Sequence, residues 1–570
     1  MGQEGNSHLP AALMRFKGGL VGVAVLSGLI NILMLTGSLF MLAVYDRVLP
    51  SRSIPTLIAL GGIALFMYAF QGFLEIIRAR ILSRVGIGFE EDMAPDLLGE
   101  VVSIANARGP QIDAVGPMKD LETLRVFMGS PGPIAIFDLP WLPVFLAVCF
   151  AYHFIIGITV LSAAVVLAAL TLAAELFARR RAERSHRAAM ARNNVAEETR
   201  RGAEAIHALG MTAPMIKRWR QHHQDFLRQH TALSDFTSLI ATASKSLRMI
   251  LQSLILAIGA YLVINQEATG GIMIASSILV SRALAPIDLA IGQWRSFVSA
   301  RQAWARLSGI VANATRPSEV LSLPAPYQTL EVQNISVSPP GSGRLAVHDI
   351  SFSLESGDAL GIIGASGCGK STLARALAGV WQPVRGTIRL DGIPLQQWPP
   401  AMLSSQVGYL PQDVCLMEGN VARNISRFHK AQSEEVLEAA GDAHVHELIA
   451  TLPNGYQTNV GPNGSALSAG QRQRVGLARA MFRRPFLIIL DEPNSNLDTS
   501  GEVALSKAIL RARAWGSIVI IVAHRPNVIS NVNKILYVAD DGQSLFGDRE
   551  AVLNRVLQHS PISIPERADA

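Results

Sequence analysis

The sequence predicts a chain in two parts: a polytopic α-helical membrane domain, then a soluble α/β domain. Three observations predict it. Hydrophobic residues make up 49% of the chain and charged residues only 16%, a low charged share for a soluble protein. The apolar residues are unevenly placed, with long uncharged runs across residues 17–300. Residues 325–555 instead alternate short apolar strands with helical stretches of ordinary soluble composition.

A spanning helix needs roughly 20 mostly apolar residues, and Gly18–Val44 qualifies. The polar stretch "YDRVLPSRS" is expected to turn the chain into a second span, Ile54–Ile76, which ends at Arg78, Arg80 and Arg84. Residues 85–132 are polar enough to be helices in water. Pro133–Leu176 is about twice a span's length, so it reads as two helices turning near Tyr152 and His153. A basic segment follows (Arg179, Arg180, Arg181, Arg184, Arg187, Arg192), and an amphipathic stretch leads to a fifth span near Leu247–Ile264. The turn "NQEATGG" joins it to a sixth near Ile272–Ile291.

With six spans, the basic flanks at Arg15 and Lys17, at Arg78–Arg84 and at Arg179–Arg192 fall on one side. Positive charge marks that side as cytoplasmic. Both termini and the α/β domain are then inside, with residues 80–132 and 180–240 projecting inward as helices. These flanks also account for the net charge of +6, so nucleic acid is not an expected partner. About 16 residues precede the first apolar run, which is too long for a cleavable signal's core. Cys149, Cys368 and Cys415 show neither disulfide nor metal spacing.

Some polar residues lie in or beside the apolar runs. Asp138, in "IFDLPWLPVF", reads as an interfacial residue with Trp141 as its anchor, although an acid at membrane depth is a functional candidate by default. Asn31 reads as a hydrogen bonder between helices. His153 reads as a turn residue, and Pro286 as a kink in span six.

In the soluble half, "LEVQNISV", "AVHDISFSL" and "ALGIIG" read as strands. The last runs into Gly364-Ala365-Ser366-Gly367-Cys368-Gly369-Lys370-Ser371-Thr372, and the helix "STLARALAGV" follows. Strand, glycine-rich loop and helix in that order are a P-loop, so the domain is an α/β P-loop NTPase. The glycines let backbone N–H groups close around phosphate oxygens, Lys370 adds a point charge, and Ser371 offers a hydroxyl to Mg²⁺. Cys368 fills a variable slot at a helix N-terminus, which makes it a candidate for alkylation.

"FLIILDEP" reads as a buried strand delivering Asp491 and Glu492 at its C-terminal edge, where open α/β sheets bind their ligands. Asp491 is placed to hold Mg²⁺ through water, and Glu492 to polarise an attacking water. "SALSAGQRQRVGLARA" supplies a second glycine turn opening a helix, another anion-binding end.

The series P-loop, "YLPQD", "LSAGQ", "LDEP", "SNLD" and "IVAHR" resembles the nucleotide-binding domain of an ATP-binding cassette (ABC) transporter. Six spans ahead of it resemble an exporter half-transporter. The resemblance implies a membrane domain over 17–310, a linker over 311–328 and a cassette over 329–555, flanked by tails 1–16 and 556–570. It implies that Gln412 contacts the metal or attacking water, that His524 contacts the γ-phosphate, and that Asp498 lies in the loop joining two sites. It places the signature residues Ser468, Ala469, Gly470 and Gln471, on a helical lobe of about residues 413–480, against the ATP of a second copy. The implied unit is a dimer, most simply of two copies of this chain, with an unlike half-transporter as the alternative partner. Three positions depart from the family pattern. Ala469 stands where Gly is usual, "NISVSPPGSGR" lacks an adenine-stacking aromatic, and Asn459 stands where many exporters carry an acid.

"VYDRVLPSRS", "FDLPWLPVF" and "SSILVSRALAPIDLAIGQWRSFVSARQAWARL", with "VGYLPQDVCLMEGNVARNI", resemble type I secretion permease/ATPases, particularly PrtD-type protease exporters. That implies a bacterial inner-membrane location and an unfolded protein substrate with an uncleaved C-terminal signal. It also implies two partners, a periplasmic membrane-fusion adaptor and a TolC-like outer-membrane channel. The expectation from the short stretch before span one is that neither the leader-cutting protease domain of peptide exporters nor its inactive haemolysin-type relative is present. An exporter of lipids, drugs or peptides is the alternative, and a non-transporting regulator a third possibility, which the intact Glu492 and His524 oppose.

Overall fold

The computed structural model describes residues 8–108, 116–312, 324–523, 529–539 and 544–559. The chain divides into two compact units, Met1–Val101 with Asp113–Ala314, and Val102–Ile112 with Thr315–Ala570.

The first unit is helical. Its elements are α1 (His8–Arg15), α2 (Lys17–Leu33), α3 (Thr36–Ala43), α4 (Leu49–Ser51), α5 (Ile54–Arg108, of which the part up to Val101 belongs to this unit), α6 (Gly116–Met128), α7 (Pro131–Asp138), α8 (Leu142–Tyr152), α9 (Phe154–Arg201), α10 (Ala203–Ala208), α11 (Thr212–Ile264), α12 (Gly270–Gly292) and α13 (Trp294–Ala312). Among the described residues five helical stretches are long and apolar enough to cross a membrane: Lys17–Ser51, Ile54–Asn106, Pro131–Tyr152, Thr212–Ile264 and Gly270–Gly292. A shorter apolar segment, Phe154–Leu170, opens α9. The chain turns between α8 and α9 at the expected His153, which leaves helical geometry at φ −165° and ψ 140°. Its Nδ1 accepts the Ile155 N–H at 3.2 Å and so caps α9. Helices α5, α9 and α11 extend far beyond span length, as the polar insertions predict.

The interior is built from Phe145, Cys149, Ile156, Leu167, Ile255, Leu262, Leu279 and Leu284. Lipid tails are as apolar as leucine, so this packing gains dispersion and close fit rather than release of water. Small residues permit the fit: a Cβ on Gly28 would lie 2.7 Å from the Trp141 ring.

Three expectations change. The stretch after Val44 is not a polar turn, because the chain continues as a π-helix over Val44–Val48 and then α4. The turn comes at Arg52, with φ +53°. Asp46 is held in helix because it serves another helix: its Oδ2 accepts from the Thr269 hydroxyl at 2.7 Å and its Oδ1 from the Gly271 N–H at 3.0 Å. It thereby satisfies donors that the start of α12 leaves open. Asp138 is a buried, paired acid and not a lone one. It is 5% exposed and pairs with Arg78, also 5% exposed, at 2.9 Å, and the Trp141 ring lies against Gly28. Arg78 is therefore not a free basic flank. Asn31 behaves as expected, donating to Asp138 Oδ1 at 2.9 Å. Helix α12 runs unbroken through Pro286.

The second unit carries β1 (Thr329–Val337), β2 (Val347–Glu355), β3 (Ala359–Gly364), β4 (Arg385–Leu390), β5 (Ile393–Pro394), β6 (Val407–Leu410), β7 (Leu487–Asp491), β8 (Ile518–Val522), β9 (Lys534–Val538) and β10 (Ser544–Asp548). A four-stranded antiparallel sheet has the order β2-β1-β4-β5. A six-stranded sheet has the order β10-β9-β3-β8-β7-β6, parallel except for the edge strand β10. Strands β7 and β8 are buried at every residue, which explains their unbroken apolar sequence. The unit's other helices include α14 (Lys370–Leu377), α15 (Pro400–Gln406), α16 (Val421–Ile425), α17 (Ser433–Asp442), α18 (His446–Ala450), α19 (Ala469–Met481) and α20 (Thr499–Ala514). Helices α16 to α19 fall between β6 and β7 and form the expected helical lobe.

Candidate active site

The site lies where β3, β6 and β7 end. These strands are parallel and close in register around β8, so their C-terminal residues share one sheet edge. The loop after β3 needs its glycines: Gly367 and Gly369 have φ of +91° and +93°, a region closed to most side chains. At Gly369 a Cβ would also lie 2.3 Å from Ala346 O. The loop then enters α14 at Lys370. The Lys370 ammonium folds back on the loop, donating to Gly364 O at 3.0 Å and Ala365 O at 2.6 Å. Cys368 Sγ lies 3.8 Å from it.

Ser371 donates to Asp491 Oδ1 at 3.0 Å, which joins the first turn of α14 to the end of β7. Asp491 is fully buried, and its Oδ2 has no hydrogen-bond partner among the described residues. Burial pushes this carboxyl above its ordinary value and the neighbouring Glu492 charge adds to that, while the Ser371 hydrogen bond, Arg375 and Lys370 pull it down. A buried carboxylate oxygen left open beside a serine hydroxyl is a hard-oxygen donor set that fits a divalent cation.

Glu492, the next residue, has φ +49°. For a residue with a side chain that conformation costs about 1–3 kcal/mol. The surroundings impose it: the Glu492 N–H donates to Val522 O at 3.1 Å, and its carbonyl accepts from Ser495 N at 3.2 Å. Gln412, two residues beyond β6, donates Nε2 to Glu492 Oε2 at 3.0 Å. The structure thus gathers Lys370, Ser371, Asp491, Gln412 and Glu492 at one edge. His524 lies outside the described residues.

The signature residues form a helix start, as their sequence predicts. Ser468 is the N-cap of α19: its Oγ accepts the Gln471 N–H at 3.3 Å, and Gln471 Oε1 accepts the Ser468 N–H at 2.9 Å. This reciprocal capping box fixes the turn without using the serine's own O–H donor. Asp498 caps α20 through Gly501 N at 2.9 Å and also accepts from Ser500 and pairs with Arg474. The Gly501 bond first, then Ser500 and Arg474, holds its carboxyl below the usual carboxylate value.

Sequence reading missed Gln473 and Arg474. Gln473 is 1% exposed and donates to Glu492 O at 3.1 Å. A signal was present, since Gln473 shares the spacing of Gly476, Leu477 and Ala480, the buried face of α19.

A P-loop ATPase cassette carried on one chain with a polytopic helical unit is the architecture of an ABC exporter. The profile of the ABC transporter transmembrane region matches residues 20–285, and that of the ABC transporter matches residues 347–495. The chain is 45% identical over 557 residues to the type I secretion system ATP-binding protein PrsD of Rhizobium meliloti (strain 1021), covering 97% of this chain and 96% of that one. It is 28% identical over 546 residues to the alpha-hemolysin translocation ATP-binding protein HlyB of Escherichia coli O157:H7, covering 93% and 76%. A solved bacterial Atm1-family ABC exporter with ATP bound superimposes with a TM-score of 0.83 at 22% identity, covering 95% and 99%; the two share a fold. The chain belongs to the ABC transporters, in the type I secretion group to which PrsD belongs. It is a multi-pass membrane protein with an ATP-hydrolysing cassette.

Proposed function

We propose that this chain is the permease and ATPase of a type I secretion assembly. It exports an unfolded protein with an uncleaved C-terminal signal across the bacterial inner membrane. It works as a dimer of two copies, with a periplasmic membrane-fusion adaptor and a TolC-like outer-membrane channel. The match to PrsD through both halves of the chain carries this reading. The membrane domain is assigned to residues 17–310 and the cassette to 329–555, with the cassette and both termini cytoplasmic.

The chemistry follows from the site. Backbone N–H groups of Gly364 to Thr372, including those of Ser366, Gly367, Cys368 and Gly369, surround the ATP phosphates, and Lys370 exchanges its two carbonyl partners for β- and γ-phosphate oxygens. Ser371, Asp491 and Gln412 are the residues that would hold Mg²⁺, which when bound neutralises phosphate charge. Glu492, oriented by Gln412, takes a proton from the attacking water. His524 contacts the γ-phosphate. Ser468, Ala469, Gly470 and Gln471 present the α19 N-terminus to the nucleotide held by the partner copy, and Asp498 joins the two sites. Moving a two-state equilibrium from 1:99 to 99:1 takes about 5.5 kcal/mol of differential binding. Charge-assisted contacts at two shared phosphate sites are of that order. Hydrolysis removes the bridge and lets the pair reopen.

The test is a deletion of the gene followed by comparison of secreted proteins. Loss of one or a few proteins carrying C-terminal signals, restored by this chain and not by a Glu492→Gln chain, is the expected result. An unchanged set of secreted proteins with altered lipid or drug handling overturns protein export.

A further inference from the structure

Helix α19 is tied to the loop after β7 at three successive points. The backbone of Gly470 abuts the loop so closely that a Cβ there would lie 2.8 Å from Asn496 O. Gln473 donates Nε2 to Glu492 O at 3.1 Å, and the Ser495 hydroxyl lies 3.4 Å from both atoms of its amide. Arg474 pairs with Asp498 and donates to Ser500 Oγ at 2.9 Å. The middle tie differs from the others. Gln473 is the buried one, at 1% exposed, and its partner is the main chain of a residue held at φ +49°. Gln473 is buried, so water is a poor substitute for this bond, and losing it removes one of the hydrogen bonds that hold the Glu492 carbonyl, the Ser495 N–H at 3.2 Å being another. The backbone that it grips aims the Glu492 carboxylate.

We propose that Gln473 is a positioning residue for Glu492: it couples the signature turn, which meets the partner's ATP, to the hydrolytic carboxylate of its own subunit. The inference rests on the dimeric ATPase reading above. When Ser468 and Gly470 engage the partner's nucleotide, α19 shifts as one piece with its first turns. Gln473 carries that shift to the Glu492 carbonyl, 19 residues on in the sequence. Each site is then aligned for hydrolysis only when the opposite site is filled. The route is short and made of one side chain. It is separate from the Arg474–Asp498 pair, which acts on the start of α20.

The experiment uses the full-length protein in lipid, with ATPase measured against ATP concentration and expressed per nucleotide-binding site. Gln473→Met removes the donor and keeps the length of the side chain. The expected result is a fall in kcat of about 10- to 100-fold, the size that a small misplacement of a reacting group produces. KM and affinity for a fluorescent ATP analogue stay within about twofold, since binding contacts are intact. The Hill coefficient falls toward one. A merely structural tie lowers the number of active sites and leaves kcat per site and the Hill coefficient alone. If Gln473→Met does not give folded protein, Ser495→Ala is read in the same assay. It removes the hydroxyl that braces the Gln473 amide, and a fall of about two- to tenfold in kcat alone is expected, because misplacement is partial. A folded variant with wild-type kcat and cooperativity overturns the proposal while leaving the ATPase reading intact. A wild-type protein that shows no ATPase, or equal activity as an isolated monomer, overturns both.

Discussion

Arg78 and Asp138 form an ion pair of 2.9 Å inside the helical unit, 60 residues apart in sequence, with side chains 6% and 8% exposed. The Arg78 guanidinium also donates to Ser27 Oγ at 3.0 Å, and Asn31 bridges Ser27 O and Asp138 Oδ1. The cluster links α2, α5 and α7. Removing one partner leaves a buried charge uncompensated, which costs about 3–5 kcal/mol. Asp138→Ala is expected to lower the inactivation temperature of the detergent-solubilised protein markedly. Arg78→Met with Asp138→Leu is expected to recover most of the loss, because it removes both charges together. Equal melting of the single variant and the parent counts against the pairing.

Glu492→Gln keeps the shape of the side chain and removes the base. Positioned acid–base groups contribute about 10²- to 10⁴-fold, and a loss of kcat in that range is expected. Nucleotide affinity is expected to be kept, and two copies are expected to stay associated in ATP because the bridge is no longer cut. Size-exclusion chromatography with ATP reads the association, and a phosphate-release assay reads the rate.

Asp491→Asn removes the carboxylate whose Oδ2 has no hydrogen-bond partner among the described residues. Mg²⁺ titration of the ATPase is expected to show a half-maximal concentration raised by about tenfold or more, since loss of a charged oxygen ligand removes at least one charge-assisted contact. Removal of Mg²⁺ with EDTA stops hydrolysis in the parent without unfolding it. An Mg²⁺ dependence identical to the parent's in Asp491→Asn removes Asp491 from the site.

Cys368 is partly exposed in the loop, 3.8 Å from the Lys370 ammonium. A maleimide is expected to inactivate the ATPase, ATP to protect it, and Cys368→Ser to be active and insensitive. Cys149 is buried and Cys415 exposed, so labelling of the Cys368→Ser protein is expected at Cys415 without loss of activity. Inactivation of that variant places the sensitive thiol elsewhere.

Asp358 supplies a pH test. Burial raises its carboxyl, but bonds from Glu355 N, Asn533 and Lys534 outweigh burial and hold it below the ordinary carboxylate value. A carboxyl lowered by folding stabilises the fold above its unfolded value, near pH 4, and loses that contribution as pH falls through its folded value. The difference in inactivation temperature between parent and Asp358→Asn is therefore expected in full at pH 7 and to shrink below about pH 4. A difference that grows with acidity reverses the sign and refutes the bonds' role.

Features that depend on neighbours in the chain are legible from the residues alone. The run "ALGIIGASGCGKST" contains strand, turn and helix start in one stretch, and local sterics alone make it a phosphate loop. "FLIILDEP" places two carboxylates at a strand end for the same reason. Span-length apolar runs are legible because no other solvent tolerates them. Which distant groups meet is set by the packing of the folded chain. Arg78 reads as a basic flank until α7 brings Asp138 to it, Asp46 reads as a turn residue until α12 presents Gly271, 225 residues away, and Gln473 reads as one polar residue in "GQRQR" until α19 packs on β7. Polar residues of this kind carry no local signature, because their burial is tolerable only through a partner that the chain supplies after it has folded.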